Sequence, residues 1–154
     1  MTIEGIDEVR RQLRGINQLL NSNEPMKNIC KDVKKRILER TERGRDYKNL
    51  KFYPYSAKYA KRKGVGQSSV DLKLTGTMLG AIETRVLNPR HGQVLVTSRA
   101  MAGTIAKSDM IAQIHTTGTG RQPKREFMNI TDKALQDFVN EHYDDEIMRI
   151  LGRK

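Results

Sequence analysis

Apolar residues recur at three- and four-residue steps near the start of the chain: Ile6, Val9, Leu13, Ile16 and Leu20. Such steps line one face of a helix. The stretch NSNEP over 21–25 breaks the pattern; Ser22 or Asn23 can cap the next helix and Pro25 suits its first turn. Met26, Ile29, Cys30, Val33 and Ile37 then mark a second helix, with Gly44 as a natural stop. Two helices joined by so short a break predict an antiparallel pair.

Periodicity fails over 45–70, a span long enough for a loop that is functional or orders only in an assembly. LKLTGTMLGAI (72–82) carries a short helix around Met78. TRVL and QVLVTS, separated by NPRHG, read as a β-hairpin around a Pro/Gly turn. SRAMAGTIAKSDMIAQIH (98–115) reads as a short helix or irregular segment leading to an extended run near Ile114. TTGTGRQPKRE is a second flexible loop. The chain closes with a helix capped by Thr131 that turns Leu135, Phe138, Val139, Ile147 and Leu151 to one side. Together these elements predict an α+β fold: a small antiparallel β-sheet packed with an N-terminal helical pair and a C-terminal helix, with long loops. The expected organisation is one domain over 1–154 with an extended loop at about 45–70.

Charge changes this picture more than composition does. The 154 residues are 36% hydrophobic with a mean hydropathy of −0.69, low for a compact globule. The net charge is +11, from 29 Lys/Arg and 18 Asp/Glu. Residues 27–63 hold 14 of the basic and 4 of the acidic residues, leaving 15 and 14 elsewhere, so nearly all the excess lies in one segment. A concentrated basic region meets phosphates, an acidic membrane surface or an acidic protein face. FYPYSAKYAKRKG (52–64) adds aromatics to that charge, holding four of the eight Phe and Tyr in a chain without Trp. Rings interleaved with cations suit stacking on bases and contact with phosphates, or docking on a neighbouring protein.

Signals for catalysis are weak. His91, His115 and His142 are scattered, and no Cys/His spacing resembles a zinc site. Cys30, the single cysteine, falls on the apolar face of a helix and reads as a buried thiol. KGVGQSS lacks the third glycine of a dinucleotide fingerprint, and GTGRQPKRE lacks the ending of a phosphate loop. The acids of EHYDDE (141–146) read as a solvated helical face, or as an acidic surface for a basic arm on another subunit. Leu74, Met78, Leu79 and Phe127 are expected in the core. A single cysteine fits a reducing compartment, and the N-terminus lacks the basic start and apolar run of a signal peptide. No stretch approaches a membrane-spanning helix.

Four stretches in order carry a resemblance: Phe52 with Pro54–Ser56, Leu72–Met78, Ile114–Gly118 and Pro123–Phe127. This order resembles the virion-morphogenesis, or tail-completion, family of tailed bacteriophages. There an aromatic–Pro–Tyr–Ser run precedes LxLTGxM, and an IH..G element and a Pro-x-Arg-x-Phe segment follow. The chain departs at Thr117, where an aromatic is usual, and at Glu126, where a second Pro is usual. The resemblance implies a structural virion protein, not an enzyme, forming a homo-oligomeric ring of six subunits at the phage tail end or neck. Its partners would be other copies of itself and the tail-tube and head-connector proteins, with non-specific contact to passing DNA and none to membrane. It would be assembled in the bacterial host cytoplasm, with no cofactor or metal. Phe52, Tyr53, Tyr55 and Tyr59 are then expected as interface anchors, and Lys58, Lys61, Arg62 and Lys63 as electrostatic guides. The alternative is a basic nucleic-acid-binding module. A metal-dependent nuclease would need converging carboxylates, which the sequence does not display.

Overall fold

A computed structural model describes residues 5–73, 75–101, 104–119 and 122–152. The α+β expectation holds: helices surround one two-stranded antiparallel sheet. The hairpin consists of β1 (Ile82–Asn88) and β2 (His91–Val96), in register from Ile82 opposite Val96 to Val86 opposite Gly92. A bulge between Val86 and Asn88 precedes the tight turn at Pro89 and Arg90.

Helix α2 (Glu24–Glu42) is the spine, packing across both strands. Pro25 sits in its first turn, where a missing N–H costs nothing, and Ile29, Cys30, Val33 and Ile37 are buried as their spacing predicts. The hairpin approaches α2 closely because β2 carries Gly92. A Cβ there would collide with Cys30 Sγ and come within 2.8 Å of Met26 Sδ. Cys30 is thus a packed thiol, and burial pushes its pKa up, against reactivity.

Helix α1 (Ile6–Leu20) departs from the predicted antiparallel pair. Its main neighbour is α7 (Asp145–Ile150), where Ile150 would lie 3.1 Å from a Cβ on Gly15. None of its residues is buried; Val9 and Leu13 are 53% and 60% exposed. The apolar spacing specified a helix, but α2 has already spent its own apolar face on the hairpin and core.

The core joins α2 to residues the periodicity did not mark. Phe52, Tyr55, Ala60 and Val70 from the aperiodic span pack with Leu72, Met78, Leu79, Ile82, Ala112 and Phe127. Met78 and Leu79 come from the short helix α4 (Thr77–Gly80), where a helix was expected. The expected core residue Leu74 lies outside the described residues. The run near Ile114, expected to be extended, belongs to helix α5 (Ser108–Thr117). Its β-branched residues favour strand, but α5 buries Ser108 and Ala112 against the rest of the fold, and tertiary packing outweighs that weak local preference; the Thr116 and Thr117 hydroxyls donate to the Ala112 and Gln113 carbonyls one turn back. Helix α6 (Asp132–Val139) starts where predicted, with Thr131 Oγ1 accepting from the Ala134 N–H. A π-helical turn (Asn140–Asp144) then links it to α7.

Candidate interaction surface

The span 45–70, expected as an extended loop, is an ordered excursion closed on itself. Arg45 and Lys51 bridge at its neck, the Phe52 N–H donates to the Gly44 carbonyl at 2.8 Å, and the Tyr55 N–H to the Gln67 carbonyl at 2.8 Å. Between them lies helix α3 (Ala57–Lys63), N-capped by Ser56 Oγ, which accepts from the Tyr59 N–H. Seven residues make too few turns for an apolar repeat to register.

This geometry divides the eight residues expected at an interface. Phe52 and Tyr55 are each 6% exposed and belong to the core, which corrects their reading as docking anchors. Both rings pack in the core cluster with Ala60 of α3 and Leu72. Lys63 is also withdrawn: its side chain is 8% exposed and its ammonium pairs with Asp71. Tyr59 is half-buried, its ring centroid 4.7 Å from that of Tyr55, with the Arg62 guanidinium 5.2 Å from its own. Tyr53, 66% exposed, and Lys58, Lys61 and Arg62 remain on the surface. Positions 58, 61 and 62 share a face of α3.

Beneath this surface the four resemblance elements meet. The Tyr55 hydroxyl donates to Asp71 Oδ1 at 3.2 Å and accepts from the Leu72 N–H at 3.0 Å. Arg125, 3% exposed, donates through Nε to the Tyr53 carbonyl and through Nη2 to the Pro54 carbonyl, both at 3.0 Å. Its guanidinium lies 5.5 Å from the Tyr55 ring centre, within cation–π reach. The Arg125 N–H donates to the His115 carbonyl at 2.6 Å. Gly118, at φ +71°, ends α5 so closely against Lys124 that a Cβ would sit 2.9 Å from that residue's Cβ. Phe127 is fully buried. Tyr55 and Arg125 thus tie elements about seventy positions apart into one packed unit.

The electrostatics follow from that packing. Burial pulls Lys63 down, but its bonds to Asp71 and Tyr55 outweigh this and hold its pKa above the ordinary lysine value. Burial likewise raises Asp71, and the Lys63 bond and charge override it, leaving the carboxyl below its usual value. Burial lowers Arg125 and raises Tyr55. Desolvation of the half-buried His115 ring, and then the Arg125 charge, pull its pKa down to about 4, and its Nδ1 finds no partner among the described residues. These are marks of a structural knot: the charged groups are consumed by each other and by carbonyls.

Two features escaped the sequence. One is the exposure of the α1 stripe, since periodicity reports a face without reporting its partner. The other joins Asp32 to Glu141 and His142, 110 positions along the chain, with His142 Nε2 at 2.6 Å from Asp32 Oδ2. No local spacing could have signalled it. The acids of 141–146 lie largely in solvent as expected: Glu141, Asp144 and Asp145 are exposed and Glu146 is half-buried, while Tyr143 between them donates to the Pro89 carbonyl at 2.8 Å. No described helix is long and apolar enough to cross a membrane. Comparison with family models, curated proteins and solved structures finds no match to this chain.

Proposed function

We propose that this chain is a structural virion protein that assembles into a homo-oligomeric ring at a phage tail end or neck, completing the tail or joining it to the head. The observation that carries the self-assembly is α1, whose Ile6, Val9, Leu13 and Leu20 stand exposed along a single helical face. A contiguous apolar stripe of this kind marks an interaction surface on a chain that is otherwise strongly polar. The phage setting rests on the four resemblance elements. Their convergence around Tyr55 and Arg125 supports reading them as the scaffold of a shared fold rather than as the docking residues themselves. Tyr53, Lys58, Lys61 and Arg62 then form a second, polar contact surface suited to an acidic neighbour. Native mass spectrometry of the full chain should find a closed oligomer, and Leu13→Asp should return it to monomer. A monomer at tens of micromolar, unchanged by Leu13→Asp, would overturn the assembly reading.

One observation favours the second reading, a nucleic-acid contact: Lys58, Lys61 and Arg62 are exposed on one face of α3, and Tyr53 is exposed four residues before that helix begins. With Phe52 and Tyr55 buried, one ring cannot form a run of stacking platforms, so binding would be to backbone and independent of base sequence. Lys58→Ala with Lys61→Ala should flatten the salt dependence of DNA affinity; absence of low-salt binding to both single- and double-stranded DNA would exclude it.

A further inference from the structure

Helix α2 and the π-helical turn bring three metal-ligating side chains to one point. One carboxylate oxygen from Asp32, one from Glu141 and a ring nitrogen of His142 lie within 4.8 Å of one another. Glu141 and His142 both belong to the π-helical turn, which packs against α2, and such turns recur at functional sites. Asp32 and His142 are half-buried, while Glu141 is exposed and able to swing.

Charge makes the arrangement unusual for a surface ion pair. The chain has 29 Lys/Arg, and α2 alone offers Lys31, Lys34, Lys35 and Arg36 around Asp32. Yet among the described residues neither Asp32 nor Glu141 pairs with a lysine or arginine, and His142 is the one partner of Asp32. Two carboxylates held this close repel each other, and a divalent cation between them converts that repulsion into attraction.

We infer that Asp32, Glu141 and His142 form a divalent transition-metal site that clips α2 to the C-terminal helical stretch. One imidazole and two carboxylates suit Zn2+ and the similar borderline ion Co2+; the hard ions Mg2+, Ca2+ and Mn2+ favour oxygen-only sets. Ligand atoms around tetrahedral zinc stand about 3.3 Å apart, given bonds near 2.0 Å, so the ion takes the place of the 2.6 Å His142–Asp32 hydrogen bond, those two atoms move apart by a few tenths of an ångström, and exposed Glu141 swings in to complete the set. A cleft of about 390 Å3, lined by Glu24, Glu141, His142, Asp145 and Arg149, gives ions and a water ligand access. The clip fastens the platform on which α1 rests, since α7 directly follows the π turn. It rests on side-chain geometry alone and is independent of the ring reading.

The test uses the full chain, stripped with a chelator and dialysed, then titrated with Co2+ by visible absorption and with Zn2+ by competition and calorimetry. One ion per chain, a visible ligand-field band and a higher Tm with Zn2+ are expected. Glu141→Gln and His142→Gln should each weaken binding at least tenfold, whereas His91→Gln should leave it unchanged. Glu141 is exposed, so its variant stays folded even if His142→Gln does not. Binding no tighter than millimolar, or affinity unaltered in Glu141→Gln, would overturn the site; equal preference for Mg2+ would overturn its metal class.

Discussion

Helix α1 carries its apolar residues at regular helical spacing and leaves them in water, whereas residues 45–70 show no period and send Phe52, Tyr55, Ala60 and Val70 into the core. Periodicity therefore reports local geometry, not burial. A helix repeats its face every turn whether or not anything covers it. An irregular segment can bury as much through single residues placed at turns, each held by backbone bonds such as Tyr55 N–H to Gln67 O. The two regions also differ in what their polar groups do. Around α1 the charges form local pairs such as Arg10 with Asp7, which are solvent-exposed and contribute little. Around Tyr55 they are enclosed and committed.

The sharpest break of this contrast is Phe127→Ala, which removes a fully buried ring where the resemblance elements meet. It should lower unfolding stability by about 3–5 kcal/mol, measured by urea denaturation. A loss below about 1 kcal/mol would mean that the knot is peripheral.

His115 tests the same region through pH. Burial, and then the Arg125 charge, pull its folded pKa to about 4, against an unfolded value of about 6.5. Between those values the unfolded chain takes the proton and the folded chain refuses it. Stability should thus fall as pH drops through that window, by about 3 kcal/mol at full extent. His115→Gln should remove this acid sensitivity; an unchanged pH–stability curve in that variant would refute the assignment.

Much of the fold was legible because it depends on local rules. The α2 face, the hairpin around Pro89, the Thr131 cap and the burial of Met78, Leu79 and Phe127 follow from spacing, turn chemistry and hydrophobicity. The surface was legible in part. Tyr53, Lys58, Lys61 and Arg62 remain outside, but Phe52, Tyr55 and Lys63 look identical to them in sequence: Phe52 joins the core, and Tyr55 and Lys63 are withdrawn by contacts with Asp71, Leu72 and Arg125. Those partners are 8 to about 70 positions away, and no single-sequence pattern encodes such pairing. Ile114 failed for the opposite reason: its local strand preference was outweighed by the packing of α5, which buries Ser108 and Ala112.

Lys63 and Lys61, two residues apart on α3, separate the enclosed charge from the free one. Lys63→Met leaves Asp71 and the Tyr55 hydroxyl without their cation and should cost about 2 kcal/mol. Lys61→Met should stay within about 0.5 kcal/mol. The sign of the pH effect is set by both partners. Asp71, lowered in the fold, contributes above the unfolded carboxyl value and loses that contribution as pH falls through its folded value. Lys63, raised in the fold, contributes below the unfolded lysine value and loses it as pH rises through its folded value. The difference between wild type and Lys63→Met should therefore be widest at neutral pH and narrow toward both extremes. A constant difference across pH would assign the loss to packing instead.

The smallest effect on stability is expected at α1, and it carries the most about assembly. Leu13 is 60% exposed, so Leu13→Ser removes almost no burial from the isolated chain and should shift its unfolding free energy by no more than about 0.5 kcal/mol. If the stripe is covered by another copy, the same substitution should raise the dissociation constant of the oligomer at least tenfold, because an apolar contact becomes a polar one in a desolvated interface. The two readouts separate cleanly when stability is measured below the concentration at which the chain associates. A large stability loss in the dilute monomer would show that α1 is covered within the chain, and the contrast with residues 45–70 would fail. A dilute monomer as stable as wild type, together with weakened assembly, would identify the regular, exposed helix as the surface the chain holds in reserve for its partner.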